Sequence, residues 1–142
     1  MGSYTVVIDT CVFIAALRSR QGASFRVLSL VGTGKFDIVI SVPLVLEYES
    51  AARRILEETS LDEGDVEAIL DYLCLVGKRQ EGFYLWRPFL RDPKDDMILE
   101  LAVAAEGATI VTFNVRDFRG TERFGVRVMT PQAFLREIGE IS

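Results

Sequence analysis

No histidine occurs anywhere in this chain of 142 residues. That absence removes Ser-His-Asp and Cys-His triads, and with them the usual histidine general base. It also removes most zinc sites, which are built from His or clustered Cys. Only two cysteines are present, Cys11 and Cys74. They form no CxxC pair, and their apolar neighbours predict buried structural thiols. No apolar run reaches the roughly 18 residues that a membrane span requires. Met1-Gly2-Ser3 is too short for a signal peptide, and strand-like sequence begins at once. The expectation is a cytoplasmic protein with no membrane partner. Internal repeats, low-complexity tracts and linkers are also missing, so residues 1–142 read as a single domain. A basic surplus is lacking too: the net charge is −5 and the pI is near 4.8. This speaks against a nucleic-acid binder unless the negative charge is gathered in one pocket. The 16 Lys and Arg residues can still build a local basic surface.

Hydrophobic residues are plentiful, at 49%, enough for a sizeable core. Tyr4 to Ile8 (YTVVI) is a β-branched run that fits a buried strand, and Asp9-Thr10 ends it. Residues 12 to 18 and Ser24 to Val31 read as helices, the second closed by Gly32 and Gly34. Phe36 to Ser41 is a second buried strand. Pro43 suits the first turn of a helix, LVLEYESAARRI. Ser60-Leu61-Asp62-Glu63 matches a capping box opening a helix to about Lys78. Phe83-Tyr84-Leu85 fits a short strand. A helix that is apolar nearly all round starts at about Asp95, and Gly107 ends it. Thr109 to Thr112 is a third core strand and Val126 to Met129 a fourth, with Thr130-Pro131 opening the last helix. Short apolar strands alternating with helices predict an α/β sandwich around a mostly parallel sheet. Such sheets bind ligands beyond the carboxyl ends of their strands.

Four acids then stand out. Asp9 ends an apolar strand, Glu47 interrupts the helical VPLVLEY, Asp96 opens a buried helix, and Asp117 follows a strand in TFNVRDF. Each also has a plainer role open to it. Asp9 can cap the next helix, Glu47 can face water, Asp96 can serve the helix dipole, and Asp117 and Asn114 can be turn residues. Gathered in one cleft, carboxylates repel and raise one another's pKa values, and a divalent cation relieves that repulsion. With no histidine, the ion would be hard, Mg²⁺ or Mn²⁺, on oxygen ligands. Two such ions roughly 4 Å apart can bridge a phosphodiester and activate water without a protein nucleophile.

VVIDTCVFIAAL, VPLVLEYE, RDPKDDMILELAVAA and IVTFNVRDF resemble the successive motifs of PIN domains, in order and spacing. The likeness extends over about residues 5 to 135 and is closest to the VapC-like toxins of toxin–antitoxin modules. It implies a three-layer α/β/α fold and an Mg²⁺- or Mn²⁺-dependent endoribonuclease whose products carry a 5′-phosphate and a 3′-hydroxyl. By position, Asp9, Glu47 and Asp96 match the family's first three carboxylates. Asp96 is preferred over Asp95 because it directly precedes MILELA. Asn114 stands where the family often has aspartate, so Asp117 supplies the fourth carboxylate, with Asn114 or Thr112 bonding to water or phosphate. Arg116, Arg119, Arg87, Arg91 and Lys94 are the candidate phosphate contacts, though each can equally be a solvated surface charge. The resemblance further implies an RNA substrate, a homodimer and a cognate antitoxin. Phe83 to Phe89, rich in aromatics, suits an interface or the core. The competing expectation is a PIN-fold module that binds RNA or protein without cutting.

Overall fold

A computed structural model describes residues 4–81 and 89–142 of the chain. Five strands form one parallel sheet in the order β3-β2-β1-β4-β5: β1 Tyr4–Ile8, β2 Phe36–Ile40, β3 Lys78–Arg79, β4 Thr109–Val111 and β5 Val128–Met129. Among the described residues six α-helices accompany them: α1 Thr10–Arg18, α2 Ala23–Leu30, α3 Val42–Arg54, α4 Glu63–Val76, α5 Pro93–Ala104 and, after the last strand, α6 Pro131–Glu137. Val6, Val7, Ile110 and Val111 are fully buried, which is why these strands read as unbroken apolar runs rather than alternating ones. The stacked rings of Phe13 and Tyr48, 4.5 Å apart, tie α1 to α3. Burying a side chain of this size contributes roughly 1.5–3 kcal/mol.

Chain order and sheet order place the functional edge. From β1 to β3 the chain moves steadily in one direction, through α1 and α2, then α3 and α4. From β3 it reverses and crosses to β4, beyond β1, by way of α5. Right-handed crossovers then put α5 on the opposite face from α1–α4. Helices on both faces give the three-layer α/β/α architecture expected from the sequence. The switch in strand order lies between β1 and β4, which pair through Val6–Thr109, Val7–Ile110 and Ile8–Val111. The crevice at the carboxyl ends of those two strands is the natural ligand site. Gly107 makes the return from α5 possible: its φ is 84°, and a Cβ there would come within 2.8 Å of the Gly125 carbonyl oxygen.

Some local expectations need correction. The box opening α4 is made by Asp62 and Asp65, not Ser60 and Glu63. Asp62 Oδ1 accepts from the Asp65 amide at 2.9 Å, and the Asp62 amide donates to Asp65 Oδ2 at 3.0 Å. A carboxylate is the stronger acceptor for an N–H, and Ser60 lies in a turn where Thr59 Oγ1 accepts from Leu61 N. Cys74 is exposed, because Leu73 takes the inward position on α4, and Cys11 is only partly buried. The expected strand at Phe83-Tyr84-Leu85 lies outside the described residues. Lys78–Arg79 forms a strand that the sequence did not suggest, paired with Val39 and Ile40; two charged residues gave no apolar signal.

Candidate functional site

Asp9 is the first residue beyond β1 and only 8% exposed. It occupies the N-cap position of α1, yet its side chain makes no cap hydrogen bond. Instead Asp9 Oδ2 accepts from Thr112 Oγ1 at 2.6 Å, across the β1–β4 junction. Thr112 Oγ1 in turn accepts from the Asn114 amide at 3.0 Å. The Cys11 thiol lies 3.6 Å from both Asp9 Oδ2 and Thr112 Oγ1. Burial, and next the charge of Asp9, push that thiol's pKa up. One Asp9 oxygen is therefore fully engaged by protein. Thr112, expected to meet substrate or water, is completely buried and orients Asp9. From α3, the Tyr48 hydroxyl donates to the Ile8 carbonyl, just before Asp9. Burial first, then Asp9 and Cys11, raise the Tyr48 pKa, so it stays a neutral donor.

The first turn of α5 divides its acids. Asp92 is the N-cap and accepts from the Lys94 amide at 2.9 Å. Asp96, expected to be the third ligand, is 8% exposed, and its Oδ1 accepts from the Phe89 amide at 3.2 Å and the Leu90 amide at 2.8 Å. It thereby anchors the segment entering α5. Asp95 is the acid in the field of the others. Burial, then Asp9, Asp92, Asp117 and Asp96 in that order, push its pKa up to about 6. This is the repulsion expected of carboxylates sharing a cleft, but it centres on Asp95.

Asp117 is exposed on the 3₁₀ turn Val115–Phe118, just beyond β4. Asn114 precedes that turn, and its side chain caps nothing. Asp95 and Asp117 line one cavity of about 450 Å³ with Asp92, Arg91, Arg116 and Arg119. Among the described residues, Arg91, Arg116 and Arg119 are in no ion pair. Glu47 approaches from α3, where its Oε1 lies 3.4 Å from the Lys94 ammonium, next to Asp95. Glu49 instead pairs with Arg53 on the same helix. Arg87 and the aromatic run from Phe83 lie outside the described residues as far as Pro88. Phe89 packs edge-to-face on Phe124, with Arg123 over its ring.

Asp9, Asp95, Asp96 and Asp117 thus share one electrostatic field, with Glu47 tethered beside them, and Asp96 Oδ1 is engaged by two backbone amides. Among the described residues, no three acidic or cysteine side chains already stand together as a complete ligand set. The donors are carboxylate oxygens, and the Asp95 pKa is raised first by burial and then by the neighbouring acids, with no ion pair to Asp95 among the described residues. Such a group fits a hard divalent cation. Asp95 carried no separate sequence signal: a helix buried on nearly every side has no polar face to fix its phase. Tyr48 was equally silent, although it adjoins Glu47, and Cys11 was read only as a structural thiol.

A parallel α/β sandwich with buried carboxylates at its topological switch point defines a class of oxygen-ligand sites suited to phosphate chemistry. The chain belongs to the PIN domain family, whose pattern matches residues 5–116. PIN domains are generally nucleases and typically use divalent metal ions. No curated protein matches the chain. Among the described residues, no helix is long and apolar enough to cross a membrane.

Proposed function

We propose that this PIN domain is an Mg²⁺- or Mn²⁺-dependent endoribonuclease, the toxin of a toxin–antitoxin pair acting in the cytoplasm. The observation that carries the catalytic part is Asp95, whose pKa is raised by burial and then by Asp9, Asp92, Asp117 and Asp96, and which lines a cleft with Asp117, Arg91, Arg116 and Arg119. Asp9, Asp95 and Asp117 would hold the cation, and Glu47, paired with Lys94 in this structure, would be a further oxygen donor. When bound, the ion supplies Lewis acidity and lowers the pKa of a water, so no protein nucleophile is required. The chain's own residues do the positioning. Thr112 and Cys11 fix one oxygen of Asp9, leaving the other for the cleft. Tyr48 fixes the end of β1. Asp96 fixes the entry to α5 and so the aim of Asp95. Arg91, Arg116 and Arg119 attract the phosphodiester and offset the acids, which reconciles an acidic protein with a polyanionic substrate. Hydrolysis leaves a 5′-phosphate and a 3′-hydroxyl.

The toxin role, the homodimer and the antitoxin partner are supported by the likeness of the four motifs to VapC-like proteins. The test combines calorimetric titration with Mg²⁺ and Mn²⁺ and cleavage of a broad panel of labelled single-stranded RNAs, with and without EDTA. Metal-dependent cleavage lost in Asp95→Asn is expected. Metal uptake without cleavage of any RNA would favour a binding module instead. Light scattering at micromolar concentration checks the dimer, and a monomer there counts against it.

A further inference from the structure

The 3₁₀ turn Val115–Phe118 stands between two cavities of similar size. One is the acidic cleft, about 450 Å³, and the other, about 460 Å³, lies against β5. Arg116 and Arg119 line both, so the two are neighbours through the same pair of guanidiniums. The walls of the second are of a different kind: Val115, Phe118, Val126, Val128 and Met129 supply an apolar recess. Its remaining guanidinium, Arg127, is held by Glu137 at 3.0 Å, whereas Arg116 and Arg119 are in no ion pair among the described residues.

An acidic cleft, two shared guanidiniums and an apolar recess beside it match the build of a nucleic-acid strand, in which each phosphate is followed by a flat base. We propose that the second cavity is a nucleoside subsite. It takes the base of the nucleotide beside the scissile phosphate of a single-stranded RNA, with Arg116 and Arg119 on the intervening backbone. The subsite rests on the nuclease reading above. A base can enter only if it is unpaired, because a paired one is held in its duplex. Apolar walls accept any base face, so the grip is tolerant of sequence, while the arginines hold the backbone. The subsite thus selects loops and single strands over helices and sets the register of the strand across the acids.

Two arms test this. On the substrate side, a labelled RNA cut by the wild-type protein is resynthesised with an abasic nucleotide at each position flanking the cut. One flanking position is expected to lower kcat/KM by about tenfold, the scale of one base face losing its apolar contact. On the protein side, Val115→Trp fills the recess from a residue already 39% exposed. The variant should cut the intact RNA with a higher KM and show no abasic penalty. Equal cleavage of intact and abasic RNAs at every flanking position overturns the subsite and leaves the nuclease standing. So does a folded Val115→Trp protein that matches the wild type on RNA, whether or not it loses a protein partner. Should the wild type cut no RNA in the panel, both readings fall. The abasic arm does not depend on the variant folding.

Discussion

Two helices of this protein begin with crowded aspartates, and the two clusters do opposite things. At the start of α4, Asp62 and Asp65 form a closed reciprocal box in which each carboxylate receives the other's amide. At the start of α5, Asp92 caps and Asp96 receives two amides from the preceding segment, but Asp95 faces Asp9 and Asp117. Acid content at a helix N-terminus therefore says little by itself. What separates structure from chemistry is whether each carboxylate has an N–H to accept from. An acid so satisfied is part of the scaffold, and one left facing other acids marks the place where a cation belongs.

Substitutions can break this contrast, and the largest effect is expected at Asp95. Asp95→Asn should lower RNA cleavage on the order of 10²-fold, since one cation ligand is lost while the fold is kept. The same change should raise the melting temperature of the metal-free protein at neutral pH, because it removes the repelled charge. Asp96→Ala should do the reverse. It leaves the Phe89 and Leu90 amides without an acceptor, at a cost of about 1–3 kcal/mol. Asp96→Asn, which retains a carbonyl acceptor, should keep most of that stability and much of the cleavage. If Asp96→Asn and Asp95→Asn exchanged these behaviours in paired melting and cleavage assays, the two acids would have been assigned the wrong way round.

The pH response sharpens the comparison further. An acid whose folded pKa is raised binds more protons folded than unfolded, so stability falls as pH rises between the two values. For Asp95 that window runs from the ordinary carboxylate range to about 6, and the penalty is complete above it. Screening by water at this partly exposed group limits the effect to roughly 1 kcal/mol. Melts of the metal-free protein at pH 4 to 8 should show the decline, Asp95→Asn should abolish it, and added Mn²⁺ should reverse it above pH 6. The smallest effect belongs to α4. Asp62→Ala should cost about 1 kcal/mol by urea melt and leave cleavage of a labelled RNA unchanged. A large loss of activity there would erase the distinction between the two helix starts.

The strands were legible because YTVVI, FDIVI and TIV are buried on both faces and leave no ambiguity of period. Asp9 was legible for the same reason: a charged residue directly after such a run has to sit at the sheet's carboxyl edge. The choice between Asp95 and Asp96 was not legible. Neighbours on a helix point about 100° apart, and only the packing of Ile98, Leu99, Leu101 and Ala102 against the sheet decides which one looks toward Asp9. The box at Asp62 was misjudged because Ser60-x-x-Glu63 and Asp62-x-x-Asp65 fit the same pattern two residues apart. The pairing of Thr112 with Asp9 depends on strand register, which no local stretch of sequence carries.

That bond joins residues 103 positions apart. The β1–β4 pairing that creates it spans most of the chain, a non-local contact of the kind that slows folding. Chains that stop before Thr112 already hold α1 to α5 but lack the hydroxyl that orients Asp9 and the β5 strand that pairs with β4. The acidic crevice is therefore completed by the last part of the chain to take its place in the sheet.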